Sequence, residues 1–208
     1  MIDFLFLDKG VCYFCKKDPI EKYHLCSSCL KKLDYMAKSF KLQDNLCYSI
    51  YFYNNFMKRL IGDYKFNRNT SIYKVFGQML YEFLLDKNLI DFDYILASPS
   101  SKETVRFRGF DHIRLIVDEA NKTIKIPYLE DFKKVKNTKS QHKLNREERM
   151  ENLLDAFKID KDINGKSILL VDDLITTGNT CLEIIKELKK NGAAQVVCLS
   201  LATERGGD

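Results

Sequence analysis

The stretch from Ile168 to Thr180 limits what this chain of 208 residues can fold into more than any other part of it. Its first four residues form a continuous apolar run, which is typical of a strand buried on both faces of a parallel sheet. Two acids, Asp172 and Asp173, follow at the tip of this strand, and a turn rich in hydroxyl groups then leads into a helix. Because open α/β sheets bind their ligands where such strands end, the stretch predicts a functional site at this point.

The rest of the chain alternates between strand and helix patterns, which predicts an α/β domain with a largely parallel central sheet flanked by helices. Two of these elements, a strand and a helix, bracket the acids and the turn. In chain order we expect a strand from Cys47, helices over 56–66 and 70–87, a strand over 93–97, a loop with Lys102, Arg106, Arg108 and Arg114, a helix over 111–122, a strand over 167–171, a helix over 179–191 that ends at Gly192, and a strand over 195–202.

Four of the seven cysteines form two CxxC pairs near the start of the chain, and ten residues separate the pairs. This spacing lets the thiolates of Cys12, Cys15, Cys26 and Cys29 converge on one zinc ion. We favour a structural zinc site over four unrelated buried thiols because the region has too few apolar residues to bury a core. Two copies, neither of which opens a helix after a strand, argue against a thioredoxin-like redox motif. His24 lies near the second pair, and we expect it to be exposed rather than a ligand.

These patterns divide the chain into a four-cysteine zinc module over residues 1–42 and a larger domain over residues 43–208. No apolar run reaches the roughly 18 residues that a transmembrane helix needs, and Asp3 and Asp8 interrupt any signal-peptide core. An odd number of cysteines without an export signal also argues against a disulfide framework. We therefore expect a soluble, cytoplasmic protein without membrane insertion.

The positive surplus of the chain is concentrated in one segment. The net charge is +5, and residues 133–149 alone hold seven basic and two acidic side chains, which equals the whole surplus. A surplus this mild excludes a histone-like protein. The segment has no strong apolar period, so we expect a mobile loop that passes into a helix near Asn145. It either contacts phosphate groups or forms a solvated charged face.

The turn after the acids has the chemistry of a phosphate site. A phosphate at the start of the helix near Asn179 would meet free backbone N–H groups, the positive end of the helix dipole and the hydroxyl groups of the turn. Gly178 allows the backbone to approach a ligand closely. The two acids would repel a phosphate, but they accept hydrogen bonds from sugar hydroxyls or hold Mg²⁺. A sugar phosphate satisfies both halves of this site.

Over its thirteen positions the stretch resembles the phosphoribosyl-pyrophosphate (PRPP) signature of type I phosphoribosyltransferases. In that family the acids contact the ribose hydroxyls and the turn holds the 5′-phosphate, with Mg²⁺ on the pyrophosphate. The resemblance therefore implies a type I phosphoribosyltransferase fold and assigns PRPP binding to Asp172, Asp173, Ile175, Thr176, Thr177, Gly178, Asn179 and Thr180. An acidic residue stands at the position of Thr176 in purine-salvage members, so we do not expect a housekeeping salvage enzyme.

Motifs across the whole chain resemble a narrower group, the ComF (ComFC) family of competence-associated phosphoribosyltransferase-like proteins. Two motifs depart from that family: Ser98 to Lys102 keeps the proline but not its usual apolar neighbours, and Asp111-His112 replaces the usual Asn-Gln. The resemblance implies pyrophosphate contacts at Ser100, Ser101, Lys102 and Arg108. The matching motifs are the four cysteines, Lys65-Phe66, Arg108-Gly109-Phe110, Gln141-His142-Lys143-Leu144, Arg146, Arg149, Asn152 and Ala156-Phe157.

The resemblance implies a role in DNA uptake during natural transformation, with PRPP, single-stranded DNA and other competence proteins as partners. Basic side chains interleaved with Tyr13, Phe14 and Tyr23 would follow the phosphates and stack on the bases of a single strand. The alternative is an active phosphoribosyltransferase of nucleotide metabolism with an unknown acceptor and no role with DNA. The candidates for contact with DNA, or for closing over the pyrophosphate, are Lys136, Lys139, Lys143, Arg146 and Arg149.

Overall fold

A computed structural model describes residues 10–36, 38–67, 69–135 and 156–204. Within these residues the main sheet has five strands, and a separate two-stranded ribbon pairs β4 with β5. The strands are β1 (Ser39–Leu42), β2 (Asn45–Phe52), β3 (Tyr94–Ala97), β4 (Phe132–Lys134), β5 (Phe157–Ile159), β6 (Ser167–Ile175) and β7 (Gln195–Thr203). The helices are α1 (Ser27–Leu30), α2 (Asn55–Phe66), α3 (Ile72–Asp86), α4 (Lys102–Arg108), α5 (His112–Ile124) and α6 (Asn179–Lys190).

The main sheet has the strand order β1-β2-β7-β6-β3. Its four strands from β2 to β3 run parallel to one another, and β1 pairs antiparallel with β2 at one edge. This mixed, mostly parallel sheet with flanking helices confirms the predicted fold class. Strand β1 lies within residues 1–42, the predicted module, but it pairs with the sheet of the larger domain.

Strand β6 is longer than predicted, and the two acids lie inside it rather than at its tip. Residues Asp172 to Ile175 continue the parallel pairing with β7, up to the pair Ile175 and Thr203. On its other side β6 pairs with β3 only as far as Val171. The acids therefore lie beyond the end of one neighbouring strand while the other neighbour still holds their backbone.

Helix α4 replaces the predicted loop between residues 102 and 108. Ser101 begins it, because its hydroxyl accepts a hydrogen bond from the backbone N–H of Thr104 at 3.1 Å. Gly109 ends it in the left-handed conformation, with φ at +84°. Seven residues complete fewer than two turns, so a helical period is hard to recognise in the sequence.

Two apolar clusters cover the two faces of the main sheet, because alternate residues of β6 point to opposite sides. Leu169 and Val171 pack with α2, α3 and α5, whereas Ile168 and Leu170 pack with α6 and the β4–β5 ribbon. The four-cysteine region joins the first cluster through buried residues that include Cys12 and Leu25. This region therefore packs on the larger domain instead of burying a core of its own.

Candidate functional site

The acids Asp172 and Asp173 are both buried, with 9% and 7% of their surface exposed, and they lie on opposite faces of β6. Asp172 lies on the side of α6, where its Oδ2 is 3.8 Å from the thiol of Cys181. Asp173 lies on the side of α2 and α5 and forms an ion pair with Lys65. The Nε2 atom of His112 is 3.7 Å from the same carboxylate oxygen. The pair is thus not one cluster of negative charge but two carboxyl groups in different surroundings.

These surroundings shift the pKa values of the two acids in opposite directions. Burial, together with the charge of Asp173, raises the pKa of Asp172 to about 7. Burial also opposes ionisation of Asp173, but Lys65 and His112 outweigh it and hold the pKa of this carboxyl below its usual range. At neutral pH the site therefore combines a fully ionised acid with one that exchanges a proton.

Three residues from three helices surround Asp173. Lys65 lies in the last turn of α2, Arg108 ends α4, and His112 begins α5. The Nη1 atom of Arg108 donates to the Nδ1 atom of His112 at 2.8 Å, and a ring nitrogen that accepts a hydrogen bond carries no proton. Burial lowers the pKa of His112, which agrees with a neutral ring. Lys65 is therefore the charged partner of Asp173.

The hydroxyl-rich turn packs against β1 and leaves the start of α6 open. Gly178 is the N-cap of α6 with φ at +82° and has no side chain to cap the helix, and the hydroxyl of Thr177 accepts a hydrogen bond from the backbone N–H of Asn179 at 3.5 Å. A Cβ atom at Gly178 would lie 2.7 Å from Cδ2 of Leu42, so this position needs glycine for both its conformation and its space. The other backbone N–H groups in the first turn of this 12-residue helix can bind an anion. Nearby, the buried Nδ2 of Asn179 has no acceptor within the described part of the chain.

The loop after β3 reaches the same end of the sheet. Its residue Ser98 donates a backbone hydrogen bond to the carbonyl of Val171 at 2.8 Å, which holds the loop beside β6. The hydroxyl of Ser100 lies 3.4 Å from Nδ1 of His112. The carboxyl ends of β3 and β6 therefore form one edge, with the acids between the two loops.

Four thiols converge at the N-terminal region. The Sγ atoms of Cys12, Cys15, Cys26 and Cys29 all lie within 4.8 Å of one another. Zn–S bonds of about 2.3 Å in a tetrahedral site separate sulfur atoms by about 3.8 Å, and Cys15 and Cys26 are 3.7 Å apart. The donor set and its spacing fit a structural zinc ion. In the described ranges these cysteines are the one group of this kind able to hold a metal.

Comparisons with known proteins agree with this architecture. The model of the phosphoribosyl transferase domain matches residues 111–207. The chain is 28% identical over 208 residues to competence protein F of Haemophilus influenzae, covering 93% of this chain and 90% of that protein. It is 33% identical over 153 residues to competence protein ComFC of Streptococcus pneumoniae, covering 74% and 66% of the two chains. The chain is a homologue of the ComF proteins.

This ComF homologue also matches a DNA utilization protein and a phosphoribosyltransferase. DNA utilization protein YhgH of Escherichia coli K12 is 28% identical over 199 residues, covering 92% of this chain and 84% of that protein. Orotate phosphoribosyltransferase of Francisella tularensis matches with a TM-score of 0.41 and 14% identity, covering 83% and 81% of the two chains. The fold class rests on the domain match and on the observed sheet rather than on this structural likeness.

The four residues predicted to contact pyrophosphate do not share one environment in this chain. Ser101 uses its hydroxyl to cap α4, and Lys102 is exposed at the start of that helix. Ser100 and Arg108 both contact His112, which places them beside Asp173. Sequence analysis gave no site role to Lys65, although it belongs to a motif that carries the family resemblance. It also gave none to His112, which stands where that family usually has glutamine.

The basic segment is described only at its start, and that start is a strand rather than a loop. Lys133 and Lys134 belong to β4 and pair with β5. Burial lowers the pKa of Lys134, and the charge of Asp172 opposes this shift. The expected helix near Asn145 and the candidates Lys136, Lys139, Lys143, Arg146 and Arg149 lie outside the described residues.

The N-terminal aromatic residues that were expected to stack on bases differ in their exposure. Tyr13 is buried and stacks on His24, with ring centroids 4.5 Å apart, so His24 is half-buried rather than exposed. Phe14 packs edge-on against Phe56, and the hydroxyl of Tyr23 donates to Glu82. Tyr13 is therefore not accessible for stacking on a base, whereas Phe14 and Tyr23 are only partly buried.

The other three cysteines form a second buried group that sequence reasoning missed. Cys47 and Cys198 are partners in the parallel register of β2 and β7, and Cys181 lies in the first turn of α6 beside Asp172. Neighbouring thiols and burial raise the pKa of Cys198 well above its usual value. The thiol of Cys198 therefore stays protonated, and the three buried cysteines pack as small side chains on the α6 side of the sheet.

Proposed function

We propose that this protein binds PRPP with Mg²⁺ at the carboxyl end of β6 and handles single-stranded DNA in natural competence. The observation that supports this most is the placement of two buried acids and an open helix start at one end of one strand. The acids offer acceptors for sugar hydroxyls, and the helix start offers donors for a phosphate. Few ligands other than a sugar phosphate need both within a few residues.

The two halves of the site have different tasks in this proposal. The ionised Asp173 accepts hydrogen bonds from a ribose hydroxyl, and Lys65 keeps it ionised before the ligand arrives. The turn 176–180 holds the 5′-phosphate through its backbone N–H groups. Asp172 would hold the cation in its ionised form, which is accessible because its pKa lies near neutrality. Arg108 and Ser100, on the side of Asp173, are positioned for the pyrophosphate.

Mg²⁺ would be held by the carboxylates and by the ligand, and it would neutralise charge on the leaving pyrophosphate. In phosphoribosyl transfer a nucleophile displaces pyrophosphate from the anomeric carbon, and positive charge develops on the sugar. The chain contributes by orienting the ribose and by placing carboxylates near the developing charge. The four cysteines would hold a second metal ion, a zinc ion with a structural role.

The role in competence rests on the relatives. Competence protein F, competence protein ComFC and DNA utilization protein YhgH all name processes in which DNA is taken up or used. The positive surplus in residues 133–149 supports contact with a nucleic-acid backbone. Within the described ranges no helix is long and apolar enough to cross a bilayer. We propose a cytoplasmic location, with other competence proteins as partners.

An active phosphoribosyltransferase with an unknown acceptor and no role with DNA is the second candidate, and the domain match favours it. Pyrophosphate release from PRPP in the absence of DNA would support this enzyme. Salt-sensitive binding of single strands by an Asp172→Ala/Asp173→Ala variant would instead support the DNA role, because that variant lacks the proposed PRPP acids.

The contribution of the basic segment is tested by reversing the charge of Lys136, Lys139 and Lys143. Each phosphate contact adds about −0.7 to the slope of log affinity against log salt for a single strand. We expect this variant to flatten the slope by roughly two units. It should also lower the affinity for strands of different base composition to the same extent. The matched control reverses three exposed lysines near the far end of α6, Lys186, Lys189 and Lys190. If only the affinity for PRPP falls, the segment closes over pyrophosphate, and if neither changes it is a solvated face.

A further inference from the structure

Two phenylalanines beside the acid site are the most exposed large apolar side chains in the described part of the chain. Phe107 in α4 is 84% exposed, and Phe66 at the end of α2 is 58% exposed. Each adjoins a residue of the site, since Lys65 pairs with Asp173 and Arg108 contacts His112. The exposed parts of these rings contribute no hydrophobic stabilisation to the fold, and two such rings next in sequence to Lys65 and Arg108 indicate a binding surface.

Arg108 connects these rings to the site. Its guanidinium lies 5.4 Å from the centroid of the Phe66 ring, and its Nη1 atom donates to His112. The stack with arginine covers one part of Phe66 and leaves more than half of its surface open. Phe107 stands between two arginines, the exposed Arg106 and the half-buried Arg108. The surface thus combines aromatic faces with fixed positive charge.

We propose that Phe66, Phe107 and Arg108 form a stacking platform for a nucleobase next to the PRPP site. This inference rests on the proposed function. It assigns a place on the protein to the base that the function requires, whether that base belongs to an acceptor or to a DNA strand. Aromatic faces and a guanidinium plane bind the π-face of any base, and the neighbouring cations attract the phosphate attached to it. Phenylalanine has no hydrogen-bonding group, so the platform holds bases without reading their sequence.

The charge around the platform favours a nucleobase over an apolar protein partner. Arg106 and Arg108 lie on either side of Phe107 in the sequence, and the guanidinium of Arg108 also stacks on Phe66, so both rings have a cation beside them. The cores of protein interfaces are depleted of charged residues, whereas cations interleaved with exposed aromatic rings are typical of single-strand binding. Tyr13 of the N-terminal module is buried and stacks on His24, so it does not compete for this role.

The chain contains no tryptophan, so a single substitution gives a specific optical reporter. We would prepare Phe107→Trp and Phe66→Trp, each of which keeps a stacking ring. The control is Tyr35→Trp, because Tyr35 is 52% exposed and packs against Tyr51 on β2, two strands from the acids on β6. A thymidine 12-mer and the same backbone without bases are the two probes.

We expect the ordinary 12-mer to quench the fluorescence of both platform tryptophans and to leave that of the control unchanged. The strand without bases should quench none of them. Equal quenching by both strands, or quenching of the control alone, would overturn the platform. Phe107→Leu should lower the affinity for the 12-mer about tenfold in fluorescence anisotropy, and Phe107→Trp should restore it.

A second arm distinguishes the source of the base. Free adenosine quenches a platform tryptophan if the platform takes small acceptors, whereas quenching by the 12-mer alone assigns it to strands. If neither adenosine nor the 12-mer quenches a platform tryptophan, the inference is overturned. The proposed function is measured separately, by stabilisation of the unmodified chain with PRPP and Mg²⁺ and by its binding of the 12-mer. The platform can therefore be refuted while the proposed function stands, and the proposed function can be refuted while the platform stands.

Discussion

The four-cysteine site and the acid site are built in opposite ways. The cysteine ligands all lie within the 18 residues from Cys12 to Cys29, and their CxxC spacing brings them together locally. The acid site takes its parts from α2, α4, α5 and β6, and only the fold makes Lys65 a neighbour of Asp173. A site of the first kind can be recognised from spacing, whereas a site of the second kind depends on strand register and helix packing.

Loss of the metal ligands should have the largest effect. We expect Cys12→Ser to lose about one zinc per chain and to unfold the N-terminal region, because structural zinc sites contribute on the order of 10 kcal/mol or more. Since Cys12 and Leu25 belong to the larger apolar cluster, the melting temperature of the whole chain should also fall. Metal analysis and calorimetry measure both effects.

The control for this variant is Cys47→Ala, which changes a buried cysteine outside the metal group and should keep the zinc content. Freshly purified, reduced protein without zinc would refute the metal assignment.

The long-range ion pair of the acid site should give the next largest effect. Lys65→Met leaves the buried Asp173 carboxylate without its cation, and breaking a buried pair costs about 3–5 kcal/mol. Lys22→Met is the matched control, because the pair of Lys22 with Glu82 is half-exposed and such pairs contribute less than about 1 kcal/mol. Urea unfolding measures both variants. Equal losses would show that Asp173 does not depend on Lys65, and adding Asp173→Asn to Lys65→Met should recover part of the loss.

The turn before α6 allows a smaller and sharper test. Gly178→Ala forces a side chain into a left-handed conformation, which costs about 1–2 kcal/mol, and its Cβ also meets Leu42. Gly165→Ala is the control, because Gly165 has φ at +71° but nothing within 4 Å of the added Cβ. The difference between the two losses in unfolding free energy isolates the contact with β1. Identical losses would mean that β1 does not support the turn.

The raised pKa of Asp172 predicts a dependence of stability on pH. The folded state holds a proton on this carboxyl up to a pH of about 7, whereas the unfolded chain releases it near pH 4. The unfolded state therefore binds fewer protons in this window, and the contribution of Asp172 to stability falls as the pH rises from 4 to 7. Asp172→Asn does not titrate, so its melting temperature relative to the unmodified chain should rise across the window. Parallel curves would contradict the pKa shift.

These tests separate what the sequence could predict from what it could not. Strand β6, helix α6 and the open helix start could be predicted from the apolar run before Asp172 and from the glycine of the turn, because these features depend on residues that are close in sequence. The position of the acids within β6 could not be predicted, since the register with β7 extends the strand to Ile175. Helix α4 was missed because seven residues are too few to show a helical period.

Tertiary packing also determines which side chains are free to contact a ligand or solvent. Tyr13 and His24 stack on each other, so a ring predicted to bind bases and an imidazole predicted to face solvent are both engaged. Lys65 stands among several lysines with nothing in the local pattern to single it out. Its pairing with Asp173 joins segments more than a hundred residues apart, and only the packing of α2 on the sheet brings them together.

The binding of PRPP with Mg²⁺ tests the central claim most directly, through the melting temperature of the chain. A ligand at a hundredfold its dissociation constant adds about 2.7 kcal/mol to the unfolding free energy, so the unmodified chain should melt at a higher temperature. Asp172→Asn/Asp173→Asn keeps the shape of the site but removes its negative charge, and the ligand should no longer stabilise it. An equal rise in both proteins would contradict the assignment of the acids to the sugar-phosphate site.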